Sequence, residues 1–245
     1  MLEPSNATPS HLMKRRLAVS LFLAVVVSLS FTVVGAATVS ELRDTEVAKA
    51  LRVALEQGAG SAVARLGQEN GFLGNESVRI PLPESLQKVE PRMRKFGMGE
   101  QADQLVATMN RAAEQAVLES RKLLMNTARG LPIEDAKGIL MGPDDAATEY
   151  FRARSEEQLA KRFLPVVARE TKRLKLADQY KQFANRGVAL GLVREQEASI
   201  DEYVTRKALD GFFLTVAEEE KAIRAKPLES DNKLIKKVFG TVVAE

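Results

Sequence analysis

The sequence predicts an all-α fold: a single compact multi-helix domain with one long irregular Gly/Pro-containing loop, behind an N-terminal signal peptide. Three observations carry that expectation. Apolar residues recur at helical spacing almost throughout the chain beyond residue 37. N-cap residues and Pro/Gly punctuation cut this pattern into helix-sized pieces. Only one stretch, "NGFLGNESVRIPLPESL" (70–86), loses the helical period.

Residues 13–37, "MKRRLAVSLFLAVVVSLSFTVVGAA", have the layout of an export signal. Lys14, Arg15 and Arg16 form a basic start, Leu17 to Val34 an apolar stretch, and Gly35, Ala36 and Ala37 a small-residue peptidase site. Cleavage after Ala36 or Ala37 divides the chain into a signal peptide (1–36) and one helical domain (37–245). Met13 begins a more compact signal than Met1 and is an alternative start. The apolar stretch is also just long enough to be an uncleaved membrane anchor. The small-residue ending favours cleavage, and the expected product is an exported, periplasmic, non-lipidated protein with no transmembrane segment.

The elements follow in order. Thr38-x-x-Glu41 is a capping box heading a helix toward Leu66, with Gly58 and Gly60 marking either a bend or a close contact. In the irregular stretch, Gly71, Gly74, Pro81 and Pro83 force turns, and Val78, Ile80 and Leu82 alternate as in extended backbone. Helix resumes near Ser85, stops at "FGMG" and restarts at Glu100. Pro132 and Gly142 bracket a short helix, and Asp144 or Asp145 caps the next. Ser155-x-x-Gln158 reads as a second capping box, with Leu159, Phe163, Val166 and Leu174 on the buried face and Pro165 kinking or dividing the helix. "ADQYKQFANRGVALGL" makes one more helix. Ser199-x-x-Glu202 opens a long one that Pro227 ends, and a short amphipathic helix closes the chain.

Composition excludes several chemistries. The 36 Lys and Arg face 33 Asp and Glu. Three of those bases and one acid (Glu3) precede Ala37, so the remainder stands at 33 against 32 and gives no reason to invoke nucleic acid. Cysteine is absent and the only histidine is His11. Ser-His-Asp and Cys-His nucleophile systems, the usual zinc sites and the Glu-x-x-His di-iron motif are therefore closed to the domain. No glycine-rich phosphate loop or EF-hand spacing is present. No catalytic residue, metal ligand or cofactor is assigned.

Four places offer polar groups for binding. On the 203–227 helix, at about 100° per residue, Tyr203, Lys207, Asp210, Leu214, Glu218 and Lys221 form one stripe. The apolar run Ala208–Ala217 suggests that this helix is buried centrally, drawing Lys207 and Asp210 inside, either as an i,i+3 ion pair or as the wall of a cavity. On the helix from Glu100, Asn110 sits at the edge of the apolar face with Glu114 one turn on; together they line a site or form a solvated flank. Arg79 points opposite to Val78 and Ile80, placed to clamp a carboxylate or phosphate or to stand in solvent. Lys161, Arg162, Arg169, Lys172 and Arg173 lie away from the Leu159/Phe163/Val166 face, where they suit an anionic surface or are simply hydrated.

"GFLGNESVRIPLPESLQKVE", "MNRAAEQAV", "EDAKGIL", "AATEYFR" and "YVTRKALDGFFLTVAEEEKAIR" together resemble domain-of-unknown-function family 4197, over nearly the whole chain beyond the leader. The resemblance implies exported helical bacterial proteins of a single domain. It brings no activity and no functional residue. The primary expectation is therefore a periplasmic binding or interaction protein, its ligand a small molecule or an envelope component. One alternative is a carboxylate-dependent hydrolase or lyase acting on peptidoglycan, with Glu114 or Glu218 as acid. The other is a peripheral membrane or scaffold protein using the basic helix.

Overall fold

The computed structural model describes residues 38–190 and 199–244. The leader, His11 and the segment 191–198 lie outside the described residues, as do the expectations that fall on them. Residues Ala36–Glu245 cluster as one compact unit, and every regular element described in it is helical.

A 3-10 turn, Val39–Glu41, precedes α1 (Asp44–Leu66). The Thr38/Glu41 box therefore heads this turn rather than the long helix; Thr38 N donates to Glu41 Oε2 at 3.3 Å. The helix itself begins after Arg43, whose extended backbone breaks the run. α1 is uninterrupted through Gly58 and Gly60. Ala50, Ala54, Gly58, Ala59 and Ala62 give it a face of small, buried side chains. A Cβ at Gly58 would lie 3.3 Å from Val216 Cγ1, so the glycine marks a close approach rather than a bend.

The chain then crosses the bundle as turns and extended backbone to Pro83. The expected alternation is present: Val78, Ile80 and Leu82 are buried while Arg79 is exposed. Two one-turn helices follow, α2 (Glu84–Gln87) and α3 (Glu90–Met93). A tight turn over Arg94–Met98 then contains Gly97 at φ +82°, a conformation that L side chains rarely adopt. α4 (Gly99–Glu119) breaks at Ser120 into α5 (Arg121–Arg129), a division that the sequence pattern does not announce.

Three helix starts differ from expectation. α6 (Ala136–Leu140) is capped by Asp135, whose Oδ1 accepts from Gly138 N at 2.9 Å; Pro132 lies in the preceding loop. α7 (Ala146–Arg173) runs without division through both Ser155 and Pro165. Ser155 lies inside the helix, and its hydroxyl donates back to Phe151 O at 2.6 Å. Asp145 holds the N-cap position of α7, but its side chain makes no capping bond. The carboxylate of Glu220, on another helix, caps it instead.

α8 (Leu176–Ala189) follows, and then α9 (Ile200–Ala225), α9 packing on α1, α7 and α4. Leu209, Phe212, Phe213 and Val216 are fully or almost fully buried. The rings of Phe151, Phe212 and Phe213 meet edge to face, the closest pair of centroids 5.3 Å apart. A 3-10 turn from Pro227 to Glu229 leads to α10 (Lys233–Ala244), which closes against α1.

Candidate functional site

Glu220 falls on the apolar side of α9, in register with Leu209, Phe213, Val216 and Ile223, and only 3% of its side chain is exposed. Its Oε1 accepts from Ala147 N (3.0 Å), and its Oε2 from Thr148 N and Thr148 Oγ1 (both 2.7 Å). It thus satisfies the open first turn of α7, where the helix dipole also favours a negative charge. Arg224, one turn along, binds Glu220 Oε1 at 2.9 Å and donates to the carbonyls of Leu140 (2.7 Å) and Ile139 (3.0 Å), capping α6. It also stacks 5.6 Å above the Phe239 ring of α10. One ion pair therefore ties four helices. The pair is absent from the sequence-based candidates, although a carboxylate on an apolar helix face with an arginine at i+4 is a readable signal.

Asn110 and Glu114 do comparable work for the irregular segment. Asn110 is fully buried; its Oδ1 accepts from Ile80 N, and its Nδ2 donates to Ile80 O and Val106 O, each at 2.8 Å. Both polar groups of Ile80 are thus held as in a sheet. Glu114, 1% exposed, accepts from Phe72 N (3.3 Å) and faces Arg111 (3.3 Å), which reaches on to Glu69. Tyr203 completes the set, donating to Pro81 O at 2.9 Å. Burial, with the charge of Glu84 beside it, pushes its phenol up to about 12. Three of the sequence's candidate residues thus converge on segment 69–83, and their polar atoms bind its backbone.

The others face outward. Lys207 and Asp210 are not drawn into the core: their side chains are 45% and 42% exposed. They do pair, at 3.7 Å, but Arg152 comes closer to Asp210 and also lies over the Phe213 ring. The reason is the shape of the apolar run. Its bulk sits at Leu209, Phe212, Phe213 and Val216, and the opposite edge, Leu214 included, is left to solvent. Glu218 is likewise exposed and binds Arg65 at 3.0 Å; the same Arg65 reaches Glu219 at 3.2 Å. Arg79 has no acid partner within ion-pair distance among the described residues, although its charge acts on Asp103. On α7, Lys161 pairs with Glu157, Arg169 with Glu119 and Arg173 with Glu170. Arg162 and Lys172 have no such partner among the described residues.

A sizeable concavity lies elsewhere. A groove of about 800 Å³ runs between α1 and the junction of α9 with α10, bordered by Gln57, Ser61, Glu219, Lys226, Asp231 and Asn232. Val53, Met125 and Ile223 supply apolar wall, and Gly60 leaves open floor, since a Cβ there would come no nearer than 3.6 Å to the tip of Met125. Glu56, also in the wall, bonds to Arg129, which holds its carboxyl below the usual carboxylate range. Lys226 pairs with Glu229 at 3.1 Å, while Asp231 has no ion partner among the described residues. No cluster of three or more potential metal-ligating side chains occurs among the described residues.

The chain belongs to a family of proteins of unknown function, DUF4197. The family model matches residues 41–240, a span that contains both the clamped segment and the groove. Neither curated proteins nor solved structures give a match. No described helix of this DUF4197 chain is long and apolar enough to cross a membrane.

Proposed function

We propose that this DUF4197 chain is an exported binding protein of the cell envelope, and that its ligand seat is the groove between α1 and the α9–α10 junction. The leader composition supports export and a periplasmic location. The groove is the observation that carries the binding role: its volume is in the range of small-molecule sites, and its polar groups converge on an apolar strip. With Glu56 and Glu219 answered by arginines at the rim, Asp231 is the carboxylate left to a guest. The fitting ligand is small and polar, with hydroxyls or amides for Gln57, Ser61 and Asn232 and a cationic amine for Asp231. Glu219, held by Arg65 at 3.2 Å, forms part of one border of this seat.

The peptidoglycan-cleaving alternative receives no comparable support. Glycoside cleavage asks for a carboxyl kept protonated near neutrality, in an apolar pocket. Glu114 is bound to backbone amides and an arginine, Glu218 stands in solvent, and Glu56 is shifted the opposite way.

Calorimetric titration with amino sugars, diamines and short peptides tests the proposal, run on the natural chain and on Gly60→Leu, which fills the floor. At least one class should bind the natural protein and lose about tenfold or more in affinity on Gly60→Leu. If none binds, or if the variant binds equally well, the groove is not the seat.

A further inference from the structure

Lys88, Arg92, Lys95 and Phe96 recur at i, i+4, i+7 and i+8 across α2, α3 and the turn that follows, and all four are exposed. Leu86, Met93 and Met98 are buried, and Val89 packs against the core, so this short amphipathic stretch turns its basic edge outward. Phe96 is 63% exposed, at a corner where Gly97 takes φ +82°. Nothing lies within 4 Å of a Cβ built at Gly97; the backbone turn, not crowding, calls for glycine there. None of Lys88, Arg92 or Lys95 has an acid partner among the described residues. Arg94, by contrast, takes both neighbouring acids, Glu90 at 2.7 Å and Asp103. Glu84, one turn earlier, stands beside Tyr203, and Glu100 is exposed at the start of α4.

We propose that this knuckle, residues 88–97, is a contact surface for an anionic lipid bilayer, with Phe96 entering the interface and Lys88, Arg92 and Lys95 meeting the headgroups. The charge pattern decides for it over α7, where three of the five outward bases already have acid partners. Near an anionic surface each Lys or Arg contributes roughly fivefold in affinity. Together the three bases supply about a hundredfold, lost progressively as salt screens them.

The natural chain contains no tryptophan, so Phe96→Trp reports on its own position. The chain from Ala36 onward is suited to the experiment because that unit closes its own core. It is mixed with vesicles of phosphatidylcholine, with and without phosphatidylglycerol. Emission should move to shorter wavelength on the anionic vesicles alone and return as salt is added. Changing Lys88, Arg92 and Lys95 to Gln should cut binding about a hundredfold. Arg162→Gln with Lys172→Gln on α7, outside the contact, should change it by less than about twofold. All these positions are exposed, and far-ultraviolet circular dichroism verifies that the variants fold. The proposal fails if no anionic vesicle binds, or if vesicles bind while the indole emission of the Phe96→Trp variant stays fixed. It fails equally if the α7 changes remove binding as completely as those in the knuckle.

Discussion

The segment 69–83 and the groove beside α1 are built from the same kinds of residue put to opposite use. Over the segment, Asn110 and Glu114 bind backbone groups buried in the core, and Tyr203 holds the exposed carbonyl of Pro81 at its edge. Around the groove, Glu56, Glu219 and Glu229 pair with bases at the rim, and the space between stays open. A polar residue on a buried helix face is here a fastener; one on the wall of a concavity remains available. Perturbing the first kind should therefore appear in folding stability, and perturbing the second in ligand affinity.

The sharpest way to break the comparison is at the interior ion pair. Glu220→Ala strands Arg224 and leaves the amides of Ala147 and Thr148 without their acceptor. Denaturant unfolding should show a loss of about 3–5 kcal/mol. A loss below about 1 kcal/mol would mean that the interior polar groups are not fasteners. Asn110→Ala should cost about 2–4 kcal/mol by the same measurement, since both polar groups of Ile80 lose their partner while buried. Neither change should alter ligand affinity at the groove.

Tyr203 tests the inward class by pH. Its folded pKa, about 12, lies above the usual tyrosine value near 10, so the folded state holds its proton more tightly than the unfolded chain does. This contribution is complete below pH ~10 and is lost as pH rises from ~10 through ~12. Unfolding free energy measured across that window should fall for the natural protein and fall less for Tyr203→Phe. Parallel curves would show that the phenol is not buried in the folded protein.

How much of this was legible follows from where each signal lives. Helical periodicity is local, so α4, α8, α9 and α10 are readable directly. The peculiarity of Asn110 is local too, because asparagine is a poor interior helix residue. Its partner, Ile80, is 30 positions away in a stretch without a period, so the purpose of Asn110 is a tertiary fact. Capping misleads for the same reason: Asp145 and Ser155 carry the right chemistry, but the acceptor for α7 arrives from α9. Lys207 and Asp210 belong inside only if the apolar run around them is apolar on every side. Weighting the bulk of Phe212 and Phe213 over Ala208 and Ala217 places the pair at the edge. The groove depends on how α1 meets the α9–α10 junction, a relation that no local pattern encodes.

The smallest effect separates a close helix contact from open wall along the groove's own helix, two residues apart. Gly58 lies where α1 meets α9: a Cβ there would stand 3.3 Å from Val216 Cγ1 and 3.5 Å from Glu219 Cβ, so the neighbour must yield by a few tenths of an ångström. Gly60 faces the groove, where a Cβ finds only the flexible tip of Met125 at 3.6 Å. Alanine is favoured over glycine by up to about 1 kcal/mol in a helix interior, and both sites gain this term. At Gly60 nothing opposes it, so Gly60→Ala should stabilise by about 0.5–1 kcal/mol. At Gly58 the displaced Val216 works against it, and because Val216 is packed on all sides its adjustment outweighs the gain, making Gly58→Ala destabilising by about 1 kcal/mol. Opposite signs in paired unfolding experiments would place a closed contact and an open floor two residues apart on α1. Equal signs would mean that Gly58 is no tighter than Gly60.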